Sequence, residues 1–218
     1  MNVTNPQSGS NDQGGVRALL RDATGMQHDQ LNRHALLAGL VRPDYALATY
    51  QLLLQALFRT YAGLEPGLAA FSKRQLAGLD YVARVKLSWL QADLDHFGID
   101  SALLKPADLP LPQIDSIGDY VGALYVVEGS TLGGQMIAKC LGQNLGLSAD
   151  AGARFYAGYG AATTSMWRGF IDFAESIAAD TAQVTAAQLA AKRIFAFFQQ
   201  QFDLAVVAEF GSGSGNHD

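Results

Sequence analysis

The sequence is poor in cysteine, in basic charge and in long apolar runs, and each shortage argues against a class of protein. The one cysteine, Cys140, among 218 residues excludes an internal disulfide framework and a cysteine-rich metal site. Fifteen basic against 20 acidic residues give a net charge of −5, which argues against nucleic acid as a partner. Because no apolar run is long enough to span a bilayer and the chain does not start like a signal peptide, we expect a cytoplasmic protein without membrane contact.

Apolar residues make up 49% of the chain, and most of them recur at the 3.6-residue period of a helix. We therefore predict an all-α single domain, a helical bundle over residues 15–208. A polar segment at 1–14, expected to be disordered, precedes this domain, and a Gly/Ser-rich flexible tail at 209–218 follows it. The expected helices are about 16–34, 43–65, 73–97, 116–145, one capped by Asp150, 165–179 and 183–207. Pro66 is expected to end the second helix, and Asp115-Ser116 to provide the cap of the fourth.

One side of the first helix carries cationic and metal-binding side chains. Arg17, Arg21, Thr24 and His28 follow one another at spacings of four, three and four residues, which places them on a single side. A histidine two turns from an arginine suits a ligand with a metal centre and anionic ends. The alternative is a histidine at the edge of the buried face, beside solvated arginines, which amphipathic helices often contain.

The second informative segment is 125–135, YVVEGSTLGGQ. Glycine inside a helix costs about 1 kcal/mol relative to alanine, so three glycines in six positions need a reason. Tyr125, Gly129 and Gly133 lie on one face, where a flat ligand can rest on bare backbone with the phenol at its rim. The alternative is a close helix crossing at Gly129 and Gly133, which does not account for Gly134. Haem satisfies both segments: it is planar and apolar, it takes histidine at iron, and it carries two propionates.

With these residues, the chain resembles a bacterial, phytochrome-associated haem oxygenase over about 16–205. The segments that carry the resemblance are LRDATGMQH at 20–28, the Tyr45–Glu65 segment, LQADLDHFG at 90–98 and LYVVEGSTLGG at 124–134. The resemblance implies a haem-oxygenase-like fold with haem between a proximal and a distal helix. His28 would be the iron ligand, and Arg21 and Tyr125 would bind propionates. The distal side would be lined by Gly129, Ser130, Gly133 and Gly134, with the first three in catalytic roles. Ser130 stands where many animal-type members have aspartate, and bacterial relatives often have serine there.

The activity implied by the resemblance is oxidative opening of haem to biliverdin IXα with release of Fe²⁺ and CO. Haem b is then both substrate and cofactor, and O₂ is the second substrate. No GxGxxG fingerprint is present, so electrons must come from an external reductant: a ferredoxin, a flavoprotein or an ascorbate-like donor. A bacteriophytochrome is the expected recipient of biliverdin. Two other classes stay open: a haem carrier or sensor without turnover, and a haem-free enzyme of the thiaminase-like kind.

Overall fold

The computed structural model describes residues 14–74, 78–104 and 109–211, and every regular element in these ranges is helical. Residues 1–13 of the segment expected at 1–14, and residues 212–218 of the tail expected at 209–218, lie outside the described residues. The prediction that the tail starts at 209 is wrong, because the last helix continues to Gly211. The seven α-helices are α1 (Val16–Asn32), α2 (Leu47–Arg74), α3 (Leu87–His96), α4 (Ile117–Leu145), α5 (Arg154–Ala157), α6 (Thr163–Glu175) and α7 (Thr181–Gly211). The predicted all-α fold is confirmed. None of the described helices is long and apolar enough to cross a membrane.

The C-terminal helix α7 is the centre of the bundle, because α1, α2 and α4 all pack on it. Its buried phenylalanines at 195, 198 and 202 belong to the main apolar core. Two glycines let α4 lie directly on the α7 backbone: a methyl group at Gly118 or Gly122 would overlap the carbonyl oxygen of Gln183 or Ala187. The α4–α7 contact therefore depends on the absence of side chains at these positions.

The start of α4 follows the sequence prediction. Ser116 is its N-cap, and its Oγ accepts a hydrogen bond from the Asp119 amide at 3.0 Å. In return, the Asp119 carboxylate accepts from the Ser116 amide at 3.1 Å. This reciprocal pair is a capping box, formed by residues three apart in sequence.

The second helix begins at Leu47 and not at the predicted position 43. Three further predicted boundaries are wrong, and each was decided by a contact distant in sequence. Pro66 lies inside α2, which continues to Arg74; burial of Leu68 and Phe71 offsets the hydrogen bond that proline cannot donate. The predicted helix at 73–97 instead begins at Leu87, where the Glu65 carboxylate accepts from the backbone amides of residues 86 and 87 at 2.6 and 3.3 Å.

The predicted cap at Asp150 is the third of these. The next helix, α5, begins at Arg154, and Asp93 of α3 accepts its first amides: Arg154 N–H at 2.6 Å and Phe155 N–H at 2.8 Å. A carboxylate from another helix thus satisfies the free N–H groups that a local cap would satisfy.

Candidate functional site

The predicted site residues of α1 differ in how far they are buried. Thr24 is buried, and its hydroxyl donates to the Leu20 carbonyl at 2.7 Å. Arg21 is exposed and lies 3.5 Å from the Asp22 carboxylate. The His28 side chain is 62% exposed, its ring stands edge-on to Phe195 of α7 at 6.2 Å, and its Nδ1 lies 3.2 Å from Asn32 Nδ2. The imidazole is therefore accessible to a ligand.

Tyr125 of α4 meets this same side of α1. Burial raises the pKa of the Tyr125 phenol, while a hydrogen bond with Thr24 and the charges of Arg17 and Arg21 act in the opposite direction. The fold thus places Tyr125 within electrostatic range of Arg21, the other residue predicted as a carboxylate partner. The Tyr125 ring also contacts Trp167 of α6, with ring centroids 6.4 Å apart.

The distal glycines divide into two kinds. A Cβ built at Gly129 or Gly133 has no described heavy atom within 4 Å, whereas a Cβ at Gly134 lies 2.8 Å from the Tyr156 carbonyl oxygen. The close crossing considered from the sequence therefore occurs at Gly134, against the chain at α5, and its assignment to Gly129 and Gly133 is wrong. The backbone of α4 at Gly129 and Gly133 is left bare.

Ser130 is held by a residue whose role the sequence analysis missed. Its Oγ donates to the Val127 carbonyl at 2.8 Å, which leaves the oxygen free to accept from the Tyr61 hydroxyl at 3.2 Å. Tyr61 is fully buried between the rings of Phe155 and Phe198, and this burial raises the pKa of its phenol. The available signal was a tyrosine on an apolar helix face, because a buried hydroxyl needs a partner.

A second missed group lies behind the distal glycines. Glu128, which is 1% exposed, accepts from Arg84 Nη1 at 2.6 Å and from Lys86 Nζ at 2.7 Å. The sequence indicates that Glu128 points away from Gly129, but gives no sign of its partners, which lie 42 and 44 positions away.

These residues fit haem on two observations. The α4 backbone is bare over Gly129 and Gly133, as a flat ring requires. The charge of Arg21 acts on the Tyr125 phenol, and both groups can bind a carboxylate.

Two cavities elsewhere in the molecule are lined by none of the predicted site residues. One, of about 700 Å³, lies beside Pro110, Arg193 and Phe197. The other, of about 490 Å³, lies beside Trp89, Arg154 and Tyr159. The assignment of the site therefore comes from its residues and not from cavity size.

Solved structures of haem oxygenases share this fold. The enzyme of Neisseria meningitidis, solved with NO and CO bound, is 19% identical, with a TM-score of 0.67 over 93% of this chain and 95% of that chain. Haem oxygenase-1 of the cyanobacterium Synechocystis, in complex with haem, is 17% identical, with a TM-score of 0.68 over 89% of this chain and 96% of that one. The haem oxygenase of Leptospira interrogans is 17% identical, with a TM-score of 0.67 over 87% and 99%. At these identities the likeness establishes the fold.

A search of curated proteins gave no match. The family model for haem oxygenase matches residues 15–203, nearly the whole of the described chain. The chain therefore belongs to the haem oxygenase family, whose members are biliverdin-producing oxidoreductases.

Proposed function

We propose that this protein opens haem to biliverdin IXα, with release of Fe²⁺ and CO, using O₂ and an external electron donor. The observation that carries the proposal is the family match over residues 15–203. The bare backbone of α4 at Gly129 and Gly133 supports it, because that surface accepts a flat ring.

The two sides of the ring are assigned to two helices. His28 of α1 is the proposed iron ligand, and Arg21 together with Tyr125 binds the propionates. Tyr125 stays protonated at neutral pH, because burial raises the pKa of its phenol, and it therefore donates a hydrogen bond to a carboxylate. When bound, the haem iron supplies the site for O₂.

On the distal side, the chain supplies shape and a fixed hydroxyl. Gly129 and Gly133 form a wall without side chains, and this wall limits where O₂ can lie over the ring. Gly134 was also expected in this lining, but its missing side chain faces the Tyr156 carbonyl, so it supports the wall from the α5 side. Ser130 Oγ, which donates to the Val127 carbonyl and accepts from Tyr61, has a lone pair left to accept a hydrogen bond from a water molecule and so to orient it. Glu128, the acid next to Gly129 in sequence, is paired in the interior with Arg84 and Lys86. It therefore does not face the distal side as a proton donor.

The partners are proposed on the same basis. The reductant is a ferredoxin, a flavoprotein or an ascorbate-like donor, and the recipient of biliverdin is a bacteriophytochrome, which makes this a phytochrome-associated member acting in the cytoplasm. The resemblance of the segment 124–134 to bacterial distal helices supports this subtype.

The experiment is a haemin titration followed by aerobic incubation with ascorbate. We expect a histidine-ligated spectrum and then a bilin spectrum. His28→Ala should lose the first and reduce turnover about a hundredfold, and added imidazole should restore part of both. His96→Ala is the matched control, because His96 is also an exposed helical histidine. Bound haem that stays intact would identify a carrier, and the absence of binding would favour a haem-free enzyme.

A further inference from the structure

The back of the distal helix α4 is anchored by a buried charge cluster, defined here as Arg84, Lys86, Glu128 and Tyr159. Glu128 directly precedes Gly129 and faces the interior. Its two carboxylate oxygens bind different cations, Arg84 at Oε2 and Lys86 at Oε1. Both cations come from the short segment that leads into α3, so one carboxylate joins α4 to that segment.

Tyr159 connects the cluster to a third part of the chain, the turn after α5. Its hydroxyl donates to Glu128 Oε1 at 2.9 Å and accepts from Lys86 Nζ at 3.1 Å. Burial raises the pKa of the Tyr159 phenol, so it remains a donor. Lys86 is fully buried; burial lowers the pKa of its ammonium, and the Glu128 carboxylate raises it again.

Among the described residues, no other carboxylate forms an ion pair with Arg84 or Lys86. The charge of Glu65 also acts on Lys86, but its oxygens already accept from the Lys86 backbone amide at 2.6 Å and from the Tyr81 hydroxyl at 3.0 Å. Loss of the Glu128 charge would therefore leave two buried cations without their counter-ion, which is strongly unfavourable.

At Gly129 and Gly133 no side chain is present, and no described atom lies close enough to touch a methyl group there. The neighbouring Ser130 and Gly134 have contacts from α2 and α5, and Glu128 makes the buried ion pairs of this stretch. Of these restraints the buried ion pairs are the costliest to break, so we take them to set the rotation of α4 at the two bare glycines. On a helix of about 2.3 Å backbone radius, a rotation of about 20° moves the Gly129 Cα by about 0.8 Å. Misplacement by about 1 Å near a reacting centre can cost about a hundredfold in rate.

We propose that Glu128 is a positioning residue, which fixes the rotation of α4 and thereby the placement of Gly129 and Ser130. The consequence for turnover rests on the proposed function; the anchoring itself belongs to the protein without haem.

The test compares wild type with Glu128→Gln, which keeps the shape and removes the charge, and with Glu128→Asp, which keeps the charge on a shorter arm. Hydrogen exchange of the haem-free protein is measured by mass spectrometry. We expect amides over 127–135 to exchange at least tenfold faster in Glu128→Gln, with amides over 118–124 unchanged and partial recovery in Glu128→Asp. Turnover of haem should fall about tenfold in kcat, with haem affinity unchanged.

Leu36→Ala is the control for general destabilisation, because Leu36 is buried in the connection between α1 and α2, outside the cluster. If Glu128→Gln and Leu36→Ala accelerate exchange uniformly and alike, Glu128 is only structural and the proposal is overturned. Local loosening without any change in kcat also overturns it. If Glu128→Gln does not fold, the same comparison is made with Tyr159→Phe, which leaves the charges unchanged, and with Lys86→Met, which leaves Glu128 paired with Arg84. Absence of turnover in wild type would contradict the proposed function, while exchange would still decide whether Glu128 anchors α4.

Discussion

Two sets of glycines along α4 perform opposite tasks. At Gly118, Gly122 and Gly134, a neighbouring backbone carbonyl occupies the space that a methyl group would need. At Gly129 and Gly133 the same space is open. The first set lets helices and turns approach α4 closely, and the second leaves a surface on which a ligand can lie. The role of a glycine in a helix therefore depends on what occupies the space where its side chain would lie.

The two helices proposed to enclose haem differ in a related way. The α4 side is fixed from behind by buried ion pairs, whereas the proposed ligand on α1, His28, stands mostly in solvent beside Asn32. Tyr125 of α4 and Thr24 of α1 share a hydrogen bond where the two helices meet. We infer that the distal surface is built before the ligand arrives and that the imidazole gains its defined position on binding.

The largest effect is expected at the packed glycines. Gly122→Ala places a methyl group on the Ala187 carbonyl, so α4 and α7 must move apart, and we expect the free energy of unfolding to fall by about 3 kcal/mol. Urea denaturation followed by circular dichroism measures this change. Gly25→Ala on exposed α1 is the control, since nothing lies near its Cβ, and it should gain up to about 1 kcal/mol. Equal midpoints for the two variants would contradict the distinction between packed and open glycines.

The next effect is expected at the open glycines. Gly133→Leu should fold with unchanged or higher stability, because leucine is the better helix former, yet its side chain occupies the space proposed for the ring and O₂. We expect turnover to fall about a hundredfold, equivalent to about 2.7 kcal/mol in activation free energy. Single-turnover spectra with ascorbate provide the measurement. Wild-type turnover in this variant would mean that the bare face is not the distal wall.

The smallest effect is expected where α1 and α4 meet. Removing one charge-assisted hydrogen bond, of about 1.5–3 kcal/mol, should change the orientation of the ring by roughly tenfold in ratio. Arg21→Ala and Tyr125→Phe should therefore yield biliverdin isomers other than IXα, and the double variant should yield more, as measured by product chromatography. A single isomer in wild-type proportion from all three would show that packing, and not propionate binding, orients haem.

Local patterns in the sequence determined a large part of this structure. The helical period predicted an all-α fold, and the cap expected at Asp115-Ser116 predicted where α4 begins, because both depend on residues within four positions of each other. The same short spacing placed Arg21, Thr24 and His28 on one side of α1. It also placed Gly129 and Gly133 on one face of α4.

The tertiary structure alone decided which partner each group meets. Glu65 and Asp93 set the first turns of α3 and α5 from 21 and 61 positions away, so neither start carries a local cap signal. The passage of α2 through Pro66 follows from the burial of Leu68 and Phe71. Tyr61 reaches Ser130 across 69 positions, and Glu128 receives its cations from the segment before α3. These contacts depend on how helices pack, because only folding brings distant residues within hydrogen-bonding distance.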